Sequence, residues 1–313
     1  MFGSAARTAA ITRRRFLGTA SAVSAAAAAS VACGGTPHRI RLGTGLEGGL
    51  FHEFGSNLAA AATRSQALRI TTVPTAGSVT NLEMLELGTI DAALALADAA
   101  VALGTRGSAI GRLYETYIHL AVRGDSWFQH IGDLRGARVD LGIAGSGAAL
   151  TADRLFRTAG MEPGIDITVS HHKLSDAIRG LRSETVDAVV WGAGVPTPDI
   201  QVPALVRLLG LGEWVQPMWE RYHYAYDRVP VPANTYPGTA AFETIGVPVL
   251  LLAAPALPES TVVALADVLL HHSGALMSER ARGFQFFDRR WLVSTGDIPL
   301  HPAAADYYRS EHG

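Results

Sequence analysis

The sequence contains a single cysteine, Cys33, among 313 residues, which excludes an internal disulfide. Lysine is equally scarce: Lys173 is the only one among 26 basic residues, and we interpret this as genomic base composition rather than function. The longest apolar stretch of the later sequence, 247–257, is interrupted by Pro248 and Pro255 and is too short to span a bilayer. These absences exclude a fold held together by disulfides and a chain with several membrane spans.

The first 32 residues have the features of an export signal. Arg13-Arg14-Arg15 followed by Phe16-Leu17 precedes a weakly apolar, alanine-rich run at 19–32, and no acidic residue occurs before Glu47. Paired arginines at this position resemble a twin-arginine signal, which exports folded proteins; a Sec signal with incidental arginines is the alternative. Removing residues 1–32 takes four arginines and no acid from a chain of 26 basic and 28 acidic residues. The remainder carries a net charge of −6, which disfavours a nucleic-acid partner.

Cys33 follows Val31-Ala32, a position that resembles the lipidated cysteine of a lipobox. Ser30 stands where a lipobox usually carries leucine, and a free cysteine beside a peptidase site is the alternative. We therefore predict a lipoprotein that is exported to the periplasm or cell surface and is anchored through Cys33 without spanning the membrane.

Short apolar runs alternate with helix-period stretches through the rest of the chain. This alternation predicts an α/β fold with parallel strands and helices on both faces of the sheet. The predicted strands are 39–43, 68–73, 91–95, 117–122, 138–142, 165–169, 186–190 and 205–209, and the predicted helices are 50–64, 78–88, 147–160, 173–183 and 258–280.

The length and the pattern predict two lobes. The strand series restarts at 133–139, and a proline-rich break at 230–237 precedes the last apolar stretch. We predict a linker at 33–37, a first lobe at 36–122 plus 243–313, and an inserted second lobe at 123–242. A discontinuous lobe requires two crossing strands that form a hinge, and the loops after each strand then line a cleft between the lobes.

The first glycine-rich loop, 43–49, has the G-x-G-x-x-G spacing of a dinucleotide site at a predicted helix N-terminus. That interpretation requires an acidic residue about 20 positions later, at the end of the second strand, but this strand ends in Val73-Pro74-Thr75. Glu47 would also repel a pyrophosphate. The loop therefore suits a smaller anion such as a carboxylate.

Three further loops have related features. The loop 75–81 starts a helix with Ser78 as its predicted N-cap and Asn81 one turn later, although capping alone would explain Ser78. The loop 142–148 presents Ser146 at the first helix of the second lobe, and 191–196 supplies Trp191 either as a cleft wall or as a core residue. Two helix N-termini, one in each lobe, could hold one anion between them.

These loops, in this order, resemble the TAXI-type solute receptors of tripartite ATP-independent periplasmic (TRAP) transporters. The resemblance implies a two-lobed periplasmic-binding-protein fold of type II with two hinge crossovers and a cleft between the lobes. The matching segments are Gly43-Thr44-Gly45 with Gly48-Gly49, Ala76-Gly77-Ser78-Val79 with Asn81, Gly88 with Asp91 and Asp98, Asp133-Leu134-Arg135-Gly136, Gly145-Ser146-Gly147, Val186-Asp187-Ala188 with Gly194-Val195-Pro196-Thr197, Tyr236-Pro237-Gly238, and the tail 300–308.

The resemblance also implies a cleft for a small carboxylate or an amino acid. The chain departs from the family pattern at Leu46-Glu47, at Phe51 and at Ala148-Ala149, where hydroxyls are lost and an acid is gained, which argues against a dicarboxylate. If Glu47 faces the cleft, it would pair with a ligand ammonium and favour a zwitterion; the alternative is that it points to solvent. The residues placed in or near the cleft are Thr44, Gly48, Gly49, Phe51, Ser78, Asn81, Ser146, Gly147, Trp191, Gly194 and Pro196.

The leading hypothesis is a receptor without catalytic activity or cofactor, which closes around a small solute and docks on a TRAP membrane permease subunit. A ligand-sensing receptor that feeds a sensor kinase is the alternative, because both functions use the same closure. An exported enzyme is the third and least favoured hypothesis. The sequence has no G-x-S-x-G elbow, and His52-Glu53 lacks the second histidine of an H-E-x-x-H zinc motif.

Other titratable residues give weaker signals. His171 and His172 are adjacent, so their side chains diverge on a helix, and we favour solvated or capping roles over metal binding. Asp98, Asp187 and His301 are candidates for titratable cleft residues, but the sequence does not show that they meet.

Overall fold

The computed structural model describes residues 38–66, 68–197, 206–224, 226–277 and 289–312. The predicted signal at 1–32, the linker at 33–37 and Cys33 lie outside the described residues. Among those that are described, no helix is both long enough and apolar enough to cross a membrane.

The strands of the described residues form one mixed sheet in the order β2-β1-β3-β10-β4-β7-β5-β6, with β8 beside β4 and β9 beside β10. Their bounds are β1 His38–Gly43, β2 Leu68–Val73, β3 Ala92–Leu96, β4 Ser108–Arg123, β5 Arg138–Asp140, β6 Thr168–Ser170, β7 Ala188–Ala193, β8 Val206–Leu209, β9 Asp227–Val231 and β10 Phe242–Ala253.

The helices cover this sheet with apolar faces. In the first of them, the buried residues Phe54, Leu58 and Ala61 recur at helical spacing, and this face packs on β2. The bounds are α1 Leu50–Arg64, α2 Ser78–Glu86, α3 Ala97–Leu103, α4 Gly147–Thr158, α5 Leu174–Arg182, α6 Val215–Tyr222, α7 Glu259–His271 and α8 Pro302–His312.

Two parallel blocks of strands lie on either side of two long central strands. β1 pairs in parallel with β2 and β3, and β5 pairs in parallel with β6 and β7. Between the blocks, β10 and β4 run antiparallel to each other; β10 also pairs with β3, and β4 also pairs with β7. Each long strand therefore has a partner in one of the parallel blocks, as the crossing strands of a hinge would. The lobe boundaries remain a prediction.

The predicted elements are confirmed where a periodic pattern is bounded by turn residues. β2 and α1 have the predicted bounds, whereas β6 begins at Thr168 rather than 165, because Ile165 lies in an exposed turn. The helix α3 was not predicted as a separate element. This helix follows β3 without a break, and the continuous buried apolar run 92–97 hides the change from strand to helix.

Candidate functional site

The loops that follow β1, β2, β5, β6 and β7 converge on a cleft of about 420 Å³. The carboxyl ends of parallel strands meet at one edge of a sheet, so loops distant in sequence become neighbours there. The lining consists of Gly45, Leu46, Glu47, Gly48, Gly49, Leu50, Phe51, Glu53, Ala76, Gly77, Ser78, Leu96, Thr116, Asp140, Gly142, Ile143, Ser146, Gly147, Ala148, His172, Lys173, Leu174, Ser175, Ala177, Val189, Val190, Trp191, Gly192, Ala193, Gly194, Pro196 and Thr197.

The helices α1, α2, α4 and α5 begin at this cleft, and α1, α4 and α5 leave their N-termini open to it. The first amides of a helix have no acceptor within the helix and carry a partial positive charge. Gly49 and Lys173 precede α1 and α5 without a side-chain cap. Ser146 caps α4, but its hydroxyl accepts only from the Ala149 amide (3.1 Å), so the earlier amides of this helix remain for a ligand.

The N-terminus of α2 is filled by the protein itself. The amides of Val79 and Thr80 both donate to the carbonyl of Gly145, at 3.1 and 3.2 Å. The prediction of Ser78 as the N-cap is wrong, because Gly77 precedes the helix with φ 128°. The Ser78 hydroxyl accepts instead from the Leu96 amide at 2.9 Å. This contact ties α2 to the end of β3.

Two of the predicted site residues, Thr44 and Asn81, do not line the cleft. Both are fully buried. The Thr44 hydroxyl donates to the Val73 carbonyl at 3.1 Å, and the Asn81 amide donates to the carbonyls of Thr44 and Leu94. They therefore hold the first loop against its neighbouring strands. The other predicted residues, Glu47, Gly48, Gly49, Phe51, Ser78, Ser146, Gly147, Trp191, Gly194 and Pro196, line the cleft, and their contact with a ligand remains a prediction.

Trp191 forms part of the cleft wall and is held by a buried polar network. Its ring stacks on His119 with the centroids 4.7 Å apart, and its indole N–H donates to the Thr197 hydroxyl at 3.2 Å. His119 Nδ1 lies 3.0 Å from the Tyr117 carbonyl, an acceptor only, so this nitrogen carries the proton. His119 Nε2 then accepts from the Tyr236 hydroxyl at 2.9 Å. The indole N–H is consequently occupied, and Trp191, although it lines the cleft, is only 5% exposed and packs within a buried cluster.

Burial lowers the pKa of His119 to about 4, so the ring is neutral at physiological pH. The Tyr236 hydroxyl also accepts from the Thr197 amide at 3.0 Å. This one hydroxyl thus satisfies two buried groups.

The Tyr236→Phe substitution is expected to lower the free energy of unfolding by about 2 kcal/mol, because it leaves His119 Nε2 and the Thr197 amide without partners. Urea denaturation measures the loss. Tyr222→Phe is the matched control, since that hydroxyl makes only a long contact of 3.4 Å with the Arg154 carbonyl. An equal, small effect of both substitutions would contradict the network.

His172 and Lys173, which follow β6, were not assigned to the cleft from the sequence. Asp140, the last residue of β5, is fully buried and accepts from the Ser170 hydroxyl at 2.8 Å. Its Oδ2 atom lies 2.6 Å from His172 Nδ1, so Asp140 orients the imidazole ring. His172 and Lys173 both line the cleft. The only lysine of the chain thus lies at the candidate site. His172 and Lys173 lie between the carboxyl end of β6 and the start of α5, and this position could have identified them as cleft residues.

The cleft is mixed in charge. Lys173 lies at the start of α5, whereas Glu47 and Glu53 belong to the loop after β1 and the first turn of α1. Glu47 is exposed at the cleft surface. Among the described residues, no group of histidine, cysteine, aspartate and glutamate side chains could hold a metal ion.

Comparison with known proteins confirms the predicted fold. The periplasmic aliphatic sulphonate binding protein SsuA from Escherichia coli is similar, with 20% sequence identity, a TM-score of 0.50, and coverage of 88% of this chain and 79% of that chain. An ancestral arginine-binding protein, solved with arginine bound, is also similar, with 17% identity, a TM-score of 0.51, and coverage of 80% and 100%. This α/β chain thus has the two-lobed fold of periplasmic binding proteins.

The finer resemblance to TAXI-type receptors remains a prediction. A broader family is shown by the sequence itself. The model of the NMT1-like family matches residues 42–313, and this range includes all the residues that line the cleft. The protein therefore belongs to the NMT1-like family.

Proposed function

We propose that this protein is an extracytoplasmic solute receptor that captures a small carboxylate or an amino-acid-like solute. The observation that carries the proposal is the cleft onto which three helix N-termini open beside Lys173. Helix N-termini bind anions through free amides and the positive end of the dipole. Lys173 adds a full positive charge. The arrangement favours a ligand with at least one anionic group.

The two similar structures support this chemistry. One is named for aliphatic sulphonates and the other contains arginine, and both kinds of ligand carry an anionic group. In this chain, Glu47 and Glu53 give the same cleft a partner for a cationic group. A zwitterion would satisfy both kinds of site, with its carboxylate near Lys173 and its ammonium near a glutamate.

We further propose that the receptor delivers its solute to a TRAP membrane permease subunit and is anchored through lipidated Cys33. Support comes from the loop motifs shared with TAXI-type receptors and from the export signal. Isolation of the membrane proteins that bind the solute-loaded receptor tests the partner. Recovery of a permease subunit would support the proposal, whereas a sensor kinase would replace it.

A thermal-shift screen of amino acids and organic acids tests the solute. A ligand that binds only the folded state raises the melting temperature, by an amount that corresponds to about 2.7 kcal/mol at 100 times the Kd. We expect carboxylate-containing compounds to give the shift. If no such compound shifts the melting temperature at millimolar concentration, or if the protein turns one over, the receptor function is wrong.

Two cleft substitutions are expected to separate the charges of the ligand. Lys173→Gln should weaken binding of every carboxylate about tenfold, whereas Glu47→Gln should weaken only ligands that carry an ammonium group. Calorimetry at low salt measures both. The controls are Arg179→Gln on α5 and Glu83→Gln on α2, which are exposed and do not line the cleft. Unchanged affinity for a zwitterion in the Glu47 variant would show that this side chain faces solvent.

A further inference from the structure

Asp98, in the first turn of α3, is a fully buried carboxylate that does not line the cleft. Its Oδ2 atom accepts from the Thr151 hydroxyl at 2.8 Å and from the Tyr226 hydroxyl at 3.1 Å. Its Oδ1 atom has no hydrogen-bond partner among the described residues. Burial raises the pKa of this carboxyl. A buried acid with so few hydrogen-bond partners lowers the stability of the folded state, and a functional role would explain its presence.

Among the described residues, the side chains that hydrogen-bond or pair electrostatically with this carboxylate come from the segment 123–242, whereas Asp98 belongs to 36–122. Thr151 and Arg154 lie on α4, and Tyr226 precedes β9. Arg154 Nη1 lies 4.0 Å from Asp98 Oδ2 and donates to the Tyr226 hydroxyl at 3.0 Å. The cluster thus joins the two segments that the sequence assigns to different lobes.

The same cluster connects to the cleft through α4. Thr151 Oγ1 lies 3.1 Å from the carbonyl of Gly147, the first residue of α4 and part of the cleft lining. Leu96, two residues before Asp98, also lines the cleft. Near them the Gly145 carbonyl fills the N-terminus of α2. Contacts on both sides therefore hold the open N-terminus of α4 over the cleft.

We propose that Asp98 is a positioning residue for closure: its contact with Thr151 and Tyr226 holds α4 against α3 and so sets how much of the protein is closed before a solute binds. The inference rests on the proposed receptor function for its consequence in binding. If the two segments separate, Asp98 becomes hydrated again. The hydration free energy offsets the loss of the hydrogen bonds to Thr151 and Tyr226, so the contact between α3 and α4 stays reversible. A solute then needs less binding energy to complete closure, because part of the closed population already exists.

Thr151→Val keeps the shape of the side chain and removes the hydroxyl that Asp98 accepts. We expect this variant to bind every solute about tenfold more weakly, with the order of preference among solutes unchanged, because Thr151 does not line the cleft. Thr158→Val is the matched control on the same helix, since its hydroxyl donates only to the Arg154 carbonyl at 2.8 Å. A changed order of preference, or an equal effect of the control, would overturn the proposal.

A distance measurement without solute tests closure independently of the proposed function. Spin labels are attached at Leu87→Cys and Ile165→Cys, two highly exposed positions in the two segments, in a full-length chain that carries Cys33→Ser. Asp98→Asn, Thr151→Val and Tyr226→Phe should each shift the distance distribution, and Thr158→Val should leave it unchanged. Circular dichroism confirms that each variant is folded.

The two readouts distinguish the possible failures. If the distances respond as expected but no solute binds, the closure role of Asp98 stands and the receptor function fails. If solutes bind but the distances of all three variants equal those of the parent, Asp98 has no role in closure.

Discussion

Replacement of Gly147 by valine is expected to lower the affinity for solute by about 100-fold, although it adds no charge and removes no hydrogen-bonding group. A Cβ atom at this position would lie 2.5 Å from the Ser78 hydroxyl oxygen and 2.8 Å from Leu96 Cδ1. The hydroxyl cannot move freely, because it accepts from the Leu96 amide. The added side chain would therefore push α4 away from the cleft.

Calorimetry with the strongest compound of the thermal-shift screen measures this effect. Gly132→Val is the matched control, since a Cβ atom there would meet nothing within 4 Å. Substitution by valine should leave affinity unchanged at position 132 and lower it about 100-fold at position 147. If the Gly147 variant binds as the parent does, the close approach of α4 to Ser78 is not part of the bound state.

The sequence predicted the location of the cleft because that location follows from local patterns. Glycine-rich loops were placed after short apolar strands, and the ends of parallel strands must meet at one edge. The loops after β1, β2, β5 and β7 all reach the cleft. Ten of the twelve predicted ligand-binding residues line it for this reason. The resemblance to a receptor family indicated which residues of these loops to choose. The order of the strands in the sheet explains why those residues lie close together.

The contacts that depend on long-range packing could not be predicted. Asn81 has the same polar character as a ligand-binding residue, yet its side chain is used by the backbone of Thr44 and Leu94. Similarly, the filling of the α2 N-terminus by Gly145 joins residues more than 60 positions apart. Local sequence shows that a polar group exists, but the tertiary structure decides whether the protein or a solute satisfies it.

Besides Asp98 and Asp140, the described residues include a largely buried carboxylate on the central strands, Glu115. Glu115 on β4 lies opposite Pro248 of β10, and its side chain is 13% exposed. Arg112 Nη2 lies 2.6 Å from Glu115 Oε2 and 3.0 Å from Oδ2 of Asp227 on β9. One guanidinium therefore contacts two acids, of which Glu115 is largely buried and Asp227 is about half exposed.

Desolvation raises the pKa of Glu115 to about 8, with the nearby Asp227 charge acting in the same direction and Arg112 against it. In the unfolded chain the same carboxyl releases its proton near pH 4.5. Between these two values the folded state holds a proton that the unfolded state has lost. The contribution of Glu115 to stability is therefore fully present below pH 4.5 and is lost as the pH rises toward 8.

The Glu115→Gln substitution should remove this loss, because the amide keeps the shape of the protonated acid and cannot ionise. We expect the free energy of unfolding of the variant, relative to the parent, to increase by on the order of 4 kcal/mol from pH 4.5 to pH 8. Urea denaturation of both proteins at pH 5, 6.5 and 8 measures the difference. Other groups that titrate in this range cancel in the comparison, since both proteins contain them.

Glu83→Gln on the exposed face of α2 is the control, and its difference from the parent should be the same at all three pH values. A constant difference for Glu115→Gln as well would mean that this carboxyl is ionised in the folded state throughout, with Arg112 outweighing the cost of burial. The strands β4 and β10 lie between the two parallel blocks of the sheet, so ionisation of Glu115 would place a buried charge in the strands that connect these blocks.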